Sequence, residues 1–268
     1  MKPRIDKAKV AARLVDIGQK LFDQPRERIN FTRDRGADDL LNDIERRPHL
    51  FVLGCVVDRQ IKAERAWLIP IRLAKIAGGP GFTQFETLTR RRIERVLAGP
   101  PALHRFPSGM AAVVHSAISR IRGQYGGNAS RIWRDRPSSA EVVYRFLEFD
   151  GVGPKIATMA ANILARQFKV PFSDYYSIDV SADVHVRRVF GRLGLVGNTA
   201  SVEQIVYRAR DLNPAFPGLL DRAAFWAGRN WCKPVDPLCG ECDISNVCPT
   251  GAKRTSNPAM QRAGFAGR

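Results

Sequence analysis

From Val10 onward the apolar residues recur at the spacing of a helix, and no stretch alternates as a half-buried strand would. Val10, Leu14, Ile17, Leu21 and Phe22 mark one such stripe near the N-terminus. Comparable patterns occupy 49–76, 84–98, 109–122, 139–149, 155–168, 182–193, 201–212 and 216–230. The residues between them are helix breakers: GGPG at 78–81, GPP at 99–101, GG at 126–127, DGVGP at 150–154 and NPAFPG at 213–218. Such a chain buries its apolar surface by packing helix on helix, so the expected fold is all-α. No internal repeat interrupts the pattern.

The 268 residues suffice for one large core or two small ones. Charge narrows the partners: 43 Lys+Arg stand against 26 Asp+Glu, a net +17. That excess attracts polyanions, nucleic acid first, with anionic membranes and simple solubility as the other uses. The basic run TRRRIERV at 89–96 reads as a solvated helix face. The longest apolar run, LFVLGCVV at 50–57, is too short to span a bilayer. The first residues, MKPRIDKAKVAARLVDIGQ, hold no signal-peptide core. The expectation is a soluble monomer, cytoplasmic at the nucleoid or nuclear, with no membrane partner. In such compartments cysteines bind metal more often than they pair. Cys55, inside the apolar run, reads as a small buried hydrophobe. The polar, basic stretch 251–268 is expected to be a disordered tail.

The other four cysteines crowd into WCKPVDPLCGECDISNVCPT at 231–250. Cys232, Cys239, Cys242 and Cys248 are separated by six, two and five residues. Structural zinc usually takes two paired knuckles with a longer spacer. Here one C-x-x-C is flanked by single cysteines with no histidine in the loop, and prolines 234, 237 and 249 stiffen it. Four thiolates suit a [4Fe–4S] cluster, which on ligand type has a modest edge over zinc.

Residues 138–168 describe a helical hairpin. Ser138 with Glu141 forms a capping-box pattern, Asp150-Gly151-Val152-Gly153 a tight turn, and Pro154 suits the first position of a second helix. Glycines at such a turn let a backbone approach closely, so N–H groups at a helix start can cradle a phosphate. An ordinary glycine turn explains Gly151 and Gly153 equally well. Lys155 follows at once. It is a solvated charge or phosphate contact on the plain reading, yet the positive helix end disfavours its ammonium form, which a nucleophilic amine requires.

Taken together, these motifs resemble one family. The C-x6-C-x2-C-x5-C loop resembles the cluster loop of the endonuclease III and MutY branch of DNA glycosylases. The string L-x-x-x-G-V-G-x-K-x-A from Leu147 to Ala157 resembles the hairpin of the same helix-hairpin-helix (HhH-GPD) superfamily. Ala182-Asp183-Val184-His185-Val186-Arg187-Arg188-Val189 is similar to the family's V-D-x-H-V-x-R-V. The resemblance implies that Lys155 is a Schiff-base lysine and Asp183 the catalytic carboxylate, with Asp179 as its rival and His185 structural. It implies that Gln60, in LFVLGCVVDRQIKAERAW at 50–67, enters the gap left by a flipped nucleotide, and that HRFPSG at 104–109 supplies a wedge. An added segment around VPFSDYYSID is expected to form a loop near the base pocket.

Two helical domains flanking a DNA-binding cleft are implied as well. One is a six-helix domain at 44–172 with the hairpin; the other joins 1–43 to 173–250 and carries a [4Fe–4S] cluster. Lys155 and Asp183 would face each other across that cleft. The implied function is removal of a damaged or mismatched base from double-stranded DNA, with AP-lyase strand cleavage. The alternatives are a monofunctional mismatch glycosylase for uracil, thymine or adenine, and a non-catalytic binder of damaged DNA.

Overall fold

The computed structural model describes residues 6–255, which contain helices and no strand. In chain order the α-helices are α1 (Lys7–Asp23), α2 (Arg35–Asn42), α3 (Pro48–Val57), α4 (Ala63–Ala77), α5 (Phe82–Glu86), α6 (Arg90–Ala98) and α7 (Pro107–Tyr125). They continue as α8 (Ser139–Leu147), α9 (Pro154–Asn162), α10 (Val184–Arg192), α11 (Val202–Leu212), α12 (Gly218–Asn230) and α13 (Pro249–Thr255). Among the described residues no helix is long and apolar enough to cross a membrane. The chain divides into two compact units, Met1–Pro25 with Asp174–Arg268, and Arg26–Ser173.

The larger unit is built around α3. Every residue of this helix is buried, from Pro48 to Val57. A helix apolar on all sides has no face for water and must sit inside a ring of others. Here α4, α7 and α9 pack against it. Phe51 meets Trp133, Phe146 and Phe168 edge-on at 5.9, 6.5 and 5.4 Å, the geometry the ring quadrupole favours. Gly54 lets α4 close in: a Cβ there would lie 2.3 Å from the Trp67 ring.

The continuous pattern at 49–76 is two helices, broken at 58–62 by a turn that contains no Gly or Pro. The pattern at 84–98 likewise divides into α5 and α6, because Thr89 caps a new start by accepting from the Arg92 N–H at 3.3 Å. In α6 only Ile93 and Leu97 are buried, so its arginines do form a solvated face. The segment after Pro25 was expected to accompany the N-terminal helix, but it packs with the larger unit. Phe31 lies 4.2 Å from the Trp67 ring, and buried Asp38 accepts from the Thr32 N–H and hydroxyl at 2.9 and 2.8 Å.

In the smaller unit α1 packs along α12, where Gly18 permits contact so close that a Cβ would sit 2.2 Å from the Leu219 carbonyl oxygen. Val10, Leu14 and Ile17 join Val186, Phe190 and Leu220 in one core. Each such side chain contributes about 1.5–3 kcal/mol by leaving water. Of the expected disordered tail, 251–255 belong to α13, where the Ala252 N–H bonds the Cys248 carbonyl at 2.9 Å; the rest, 256–268, lies outside the described residues.

His49 gives the larger unit an acid sensitivity. Burial holds its imidazole down from 6.5 to about 4, with a smaller push from Arg47 in the same direction, against a hydrogen bond to the Pro80 carbonyl at 3.1 Å. The folded state therefore rejects a proton that the unfolded chain accepts. The resulting stability is whole above pH 6.5 and is lost as pH falls toward 4, by up to about 3 kcal/mol. Thermal melts across that range should show the loss, and His49→Gln should flatten it.

Candidate functional site

The hairpin of α8 and α9 forms as its sequence indicates. Ser138 accepts from the Glu141 N–H at 3.0 Å. Only half of the capping box is made, because the Glu141 carboxylate turns to Arg145 instead. Between the helices the two glycines differ in kind. Gly151 has φ 74°, and a Cβ on it would lie 2.1 Å from the Arg59 guanidinium, so the chain itself demands glycine there. Gly153 has φ −103°, and a Cβ would meet nothing within 4 Å. Its surface is open. Pro154 begins α9, and the Ile156 and Ala157 N–H groups return to the Gly153 carbonyl at 3.0 and 3.1 Å. The N–H groups of Gly153 and Lys155 find no acceptor among the described residues, and the Lys155 side chain is exposed, without a hydrogen bond or ion pair there.

Arg59 ties a second segment to this turn. Its Nη1 donates to the Gly151 carbonyl at 2.6 Å, across 92 residues of chain. The neighbouring Gln60 is exposed and left-handed at φ 60°, a conformation that costs a non-glycine residue about 1 kcal/mol or more. The Arg59 carbonyl is in turn held by buried His104, whose Nε2 donates at 3.2 Å while its Nδ1 accepts from the Phe106 N–H at 3.0 Å. Those two bonds fix a neutral tautomer. Gln60, Lys62, Arg65, His104 and Arg105 line one hollow, with half-exposed Phe106 beneath the Arg105 guanidinium. Gln60, Gly151, Gly153, Lys155 and the 104–109 segment are thus gathered in the larger unit. Neither the bond of Arg59 nor that of His104 is legible in the sequence, although His104 opens the 104–109 segment, because each joins residues distant in the chain.

Asp183 and the cysteines belong to the smaller unit. Asp183 caps α10: its Oδ1 accepts from the His185 and Val186 N–H groups, both at 2.8 Å, which leaves the second oxygen uncommitted among the described residues. Asp179 is engaged otherwise, in a two-pronged pair with Arg210 at 2.7 and 2.7 Å. In the added segment Tyr175 stacks on Phe216 at 4.8 Å as part of the packing, while Tyr176 is half-exposed. His185 accepts from Arg188 through Nδ1 and sets its ring edge-on to Phe225.

Two arginines of α10 hold the cysteine loop. Arg188 donates to the Cys232 carbonyl at 2.6 Å, and Arg192 to the Lys233 and Pro234 carbonyls at 2.6 and 2.9 Å. Arg192 also reaches the Cys232 sulfur at 3.2 Å, and the Gly251 N–H the Cys248 sulfur at 3.4 Å. Cys232, Cys239, Cys242 and Cys248 line one small cavity. Burial, aided by the neighbouring sulfurs, pushes Cys242 up to about 11 and raises Cys239. Both of these thiols are therefore protonated unless a cation draws them into the thiolate form. Among the described residues no three His, Cys, Asp or Glu side chains converge as ligands of a single metal ion.

Comparison with known proteins gives a consistent pattern, although no family model matches. Endonuclease III of Thermotoga maritima is 32% identical over 147 residues, 54% of this chain and 59% of that protein. Endonuclease III homolog 1, chloroplastic, of Arabidopsis thaliana is 29% identical over 135 residues, 47% of this chain and 32% of its own length. The matches thus span between about a third and three-fifths of these curated relatives. A solved non-covalent endonuclease III–DNA complex shares the fold at TM-score 0.59 and 18% identity, covering 95% of this chain and 100% of that one. A thermostable thymine-DNA glycosylase gives 0.57 at 15% identity, covering 92% and 97%.

The two glycines should separate experimentally. Gly151→Ala must strain a left-handed residue and displace Arg59, so unfolding free energy should drop by about 1–3 kcal/mol. Gly153→Ala should leave it unchanged within about 0.5 kcal/mol. Urea denaturation of both variants checks this.

Proposed function

We propose that this chain, which shares the fold of endonuclease III and is similar to it in sequence, is a helix-hairpin-helix DNA glycosylase that excises a damaged base from duplex DNA and nicks the strand through a Schiff-base lysine. The observation that carries this reading is the start of α9. There an exposed, unpaired Lys155 amine adjoins two uncommitted N–H groups and the open surface of Gly153. Phosphate is the natural ligand of such N–H groups at a helix N-terminus. The net charge of +17 supplies the sequence-independent attraction to the duplex. Extruding a nucleotide costs a few kcal/mol and least for a weakened pair, and Gln60, on its strained turn, is the residue we assign to the vacated gap.

In this reading the Lys155 Nζ attacks C1′ as the base departs with the bonding electrons. Ring opening yields a Schiff base, and loss of a C2′ proton expels the 3′ phosphate by β-elimination. Asp183, with one carboxylate oxygen uncommitted, stabilises the positive charge that develops on the sugar. The four loop cysteines are assigned to a [4Fe–4S] cluster. They are four sulfur donors about one cavity, two of them receiving N–H bonds from Arg192 and Gly251, and four Cys thiolates are the ligand set such a cluster would need. Held by Cys232, Cys239, Cys242 and Cys248, the cluster would serve as a covalent staple of the loop.

Duplexes carrying thymine glycol, dihydrouracil, uracil, hypoxanthine, 8-oxoguanine or an abasic site test the reaction. At least one lesion should be released and its strand nicked. Lys155→Ala should abolish nicking, and Asp183→Asn should slow base release at least about 100-fold. Base release undiminished in Lys155→Ala would select a monofunctional enzyme; binding without release would leave a damage-binding protein. Anaerobically purified protein should show broad absorbance at about 400 nm that Cys242→Ser removes.

A further inference from the structure

Several arginines of the larger unit are answered by acids: Arg26 by Glu45, Arg28 by Asp39, Arg47 by Asp43, Arg120 by Glu148 and Arg145 by Glu141. Helices α4 and α6 are different. Arg65, Arg72 and Lys75 on α4 and Arg91, Arg92 and Arg95 on α6 are all exposed, and none forms an ion pair among the described residues. Each helix carries a single acid, Glu64 or Glu94. The arrangement works against the fold. Arg90, Arg91 and Arg92 open α6 with no acid in its first turn, where the positive end of the dipole disfavours cations, and Arg91 and Arg95 are like charges one turn apart.

These cations form one track. Arg65 lines the hollow that holds Gln60. Arg72 follows two turns later on the same side of α4, and Lys75 one turn further. Arg92 donates to the Ile76 carbonyl, which fastens the start of α6 against the last turn of α4. Helix α4 alone carries the charge about 20 Å from the hollow, the length of roughly six base pairs. A membrane would need apolar side chains beside the cations, and a single strand would need aromatic rings for its bases. None of the large hydrophobic side chains exposed among the described residues lies on α4 or α6. The surface suits phosphates alone, which is what the outside of a duplex presents. We propose that the α4–α6 face carries the backbone of the duplex on one side of the lesion, extending the contact about six base pairs beyond Gln60. This rests on the duplex-binding half of the proposed function and not on excision.

Duplexes holding one stable abasic analogue test it, with about four or about twelve base pairs on each flank. Trimming one flank should weaken binding by the parent about tenfold, and trimming the other should not. Arg72→Gln/Arg91→Gln/Arg95→Gln should bind the long duplex as the parent binds the trimmed one, and trimming should then change nothing. Its log–log salt dependence should be shallower by about 2–3. Single-turnover excision of the preferred lesion at saturating protein should match the parent's, because only uniform binding is lost. Arg72→Lys/Arg91→Lys/Arg95→Lys should keep the flank preference. So should Lys7→Gln/Lys9→Gln/Lys20→Gln, which takes the same charge from α1. Indifference of the parent to both flanks, an undiminished preference in the triple glutamine variant, or its equal loss in the α1 control overturns the proposal alone. Loss of binding to anionic vesicles or single strands in the triple glutamine variant, with duplex binding intact, also overturns it. A parent that prefers the long flank but excises no lesion overturns the excision reading and leaves this surface standing. A parent that binds no duplex overturns both.

Discussion

The burial of α3 on all sides is the constraint on which the larger unit depends. Ten consecutive residues without a solvent face have to be enclosed, and enclosing them brings α4, α7 and α9 around one axis. The far end of that helix then emerges at a fixed place. Its last turn delivers Asp58, Arg59 and Gln60, and Arg59 fastens the emerging chain to the glycine turn of the hairpin. The chemistry proposed for Lys155 depends on that fastening, because an exposed lysine on an unsupported turn has neither a defined direction nor a defined neighbour. His104 completes the clamp by holding the Arg59 carbonyl from the other side.

The smaller unit solves a similar problem with charge. Helix α10 carries Asp183 at its start and Arg188 and Arg192 on its later turns. The aspartate holds the helix start through two backbone bonds, and the arginines grip three carbonyls and a sulfur of the cysteine loop. Hydrogen bonds from a cation are worth roughly 1.5–3 kcal/mol each. One nine-residue helix thereby joins the candidate carboxylate to the candidate cluster loop. A damaged loop would consequently be felt at Asp183.

Much of this was legible in the sequence, for definite reasons. Helix spacing reports burial directly, so the stripe of α1 and the hairpin of α8 and α9 stand out. Pro154 and Ser138 mark helix starts through local chemistry that tertiary structure leaves alone. The turn at 58–62 was hidden inside a continuous apolar pattern, because packing rather than a breaker puts Gln60 in a left-handed conformation. The Glu141 side chain was expected to fold back on its cap and found Arg145 instead. Arg59 and Gly151 lie 92 residues apart, a distance at which no spacing rule operates.

Chemical capture of the intermediate tests the Schiff-base role of Lys155 most sharply. Protein incubated with a duplex containing its preferred lesion is reduced with borohydride, digested, and the cross-linked peptide mapped by mass spectrometry. One reduced sugar adduct is expected, on the peptide spanning Lys155. An adduct on another amine, or efficient base release with no adduct on any residue, would contradict it.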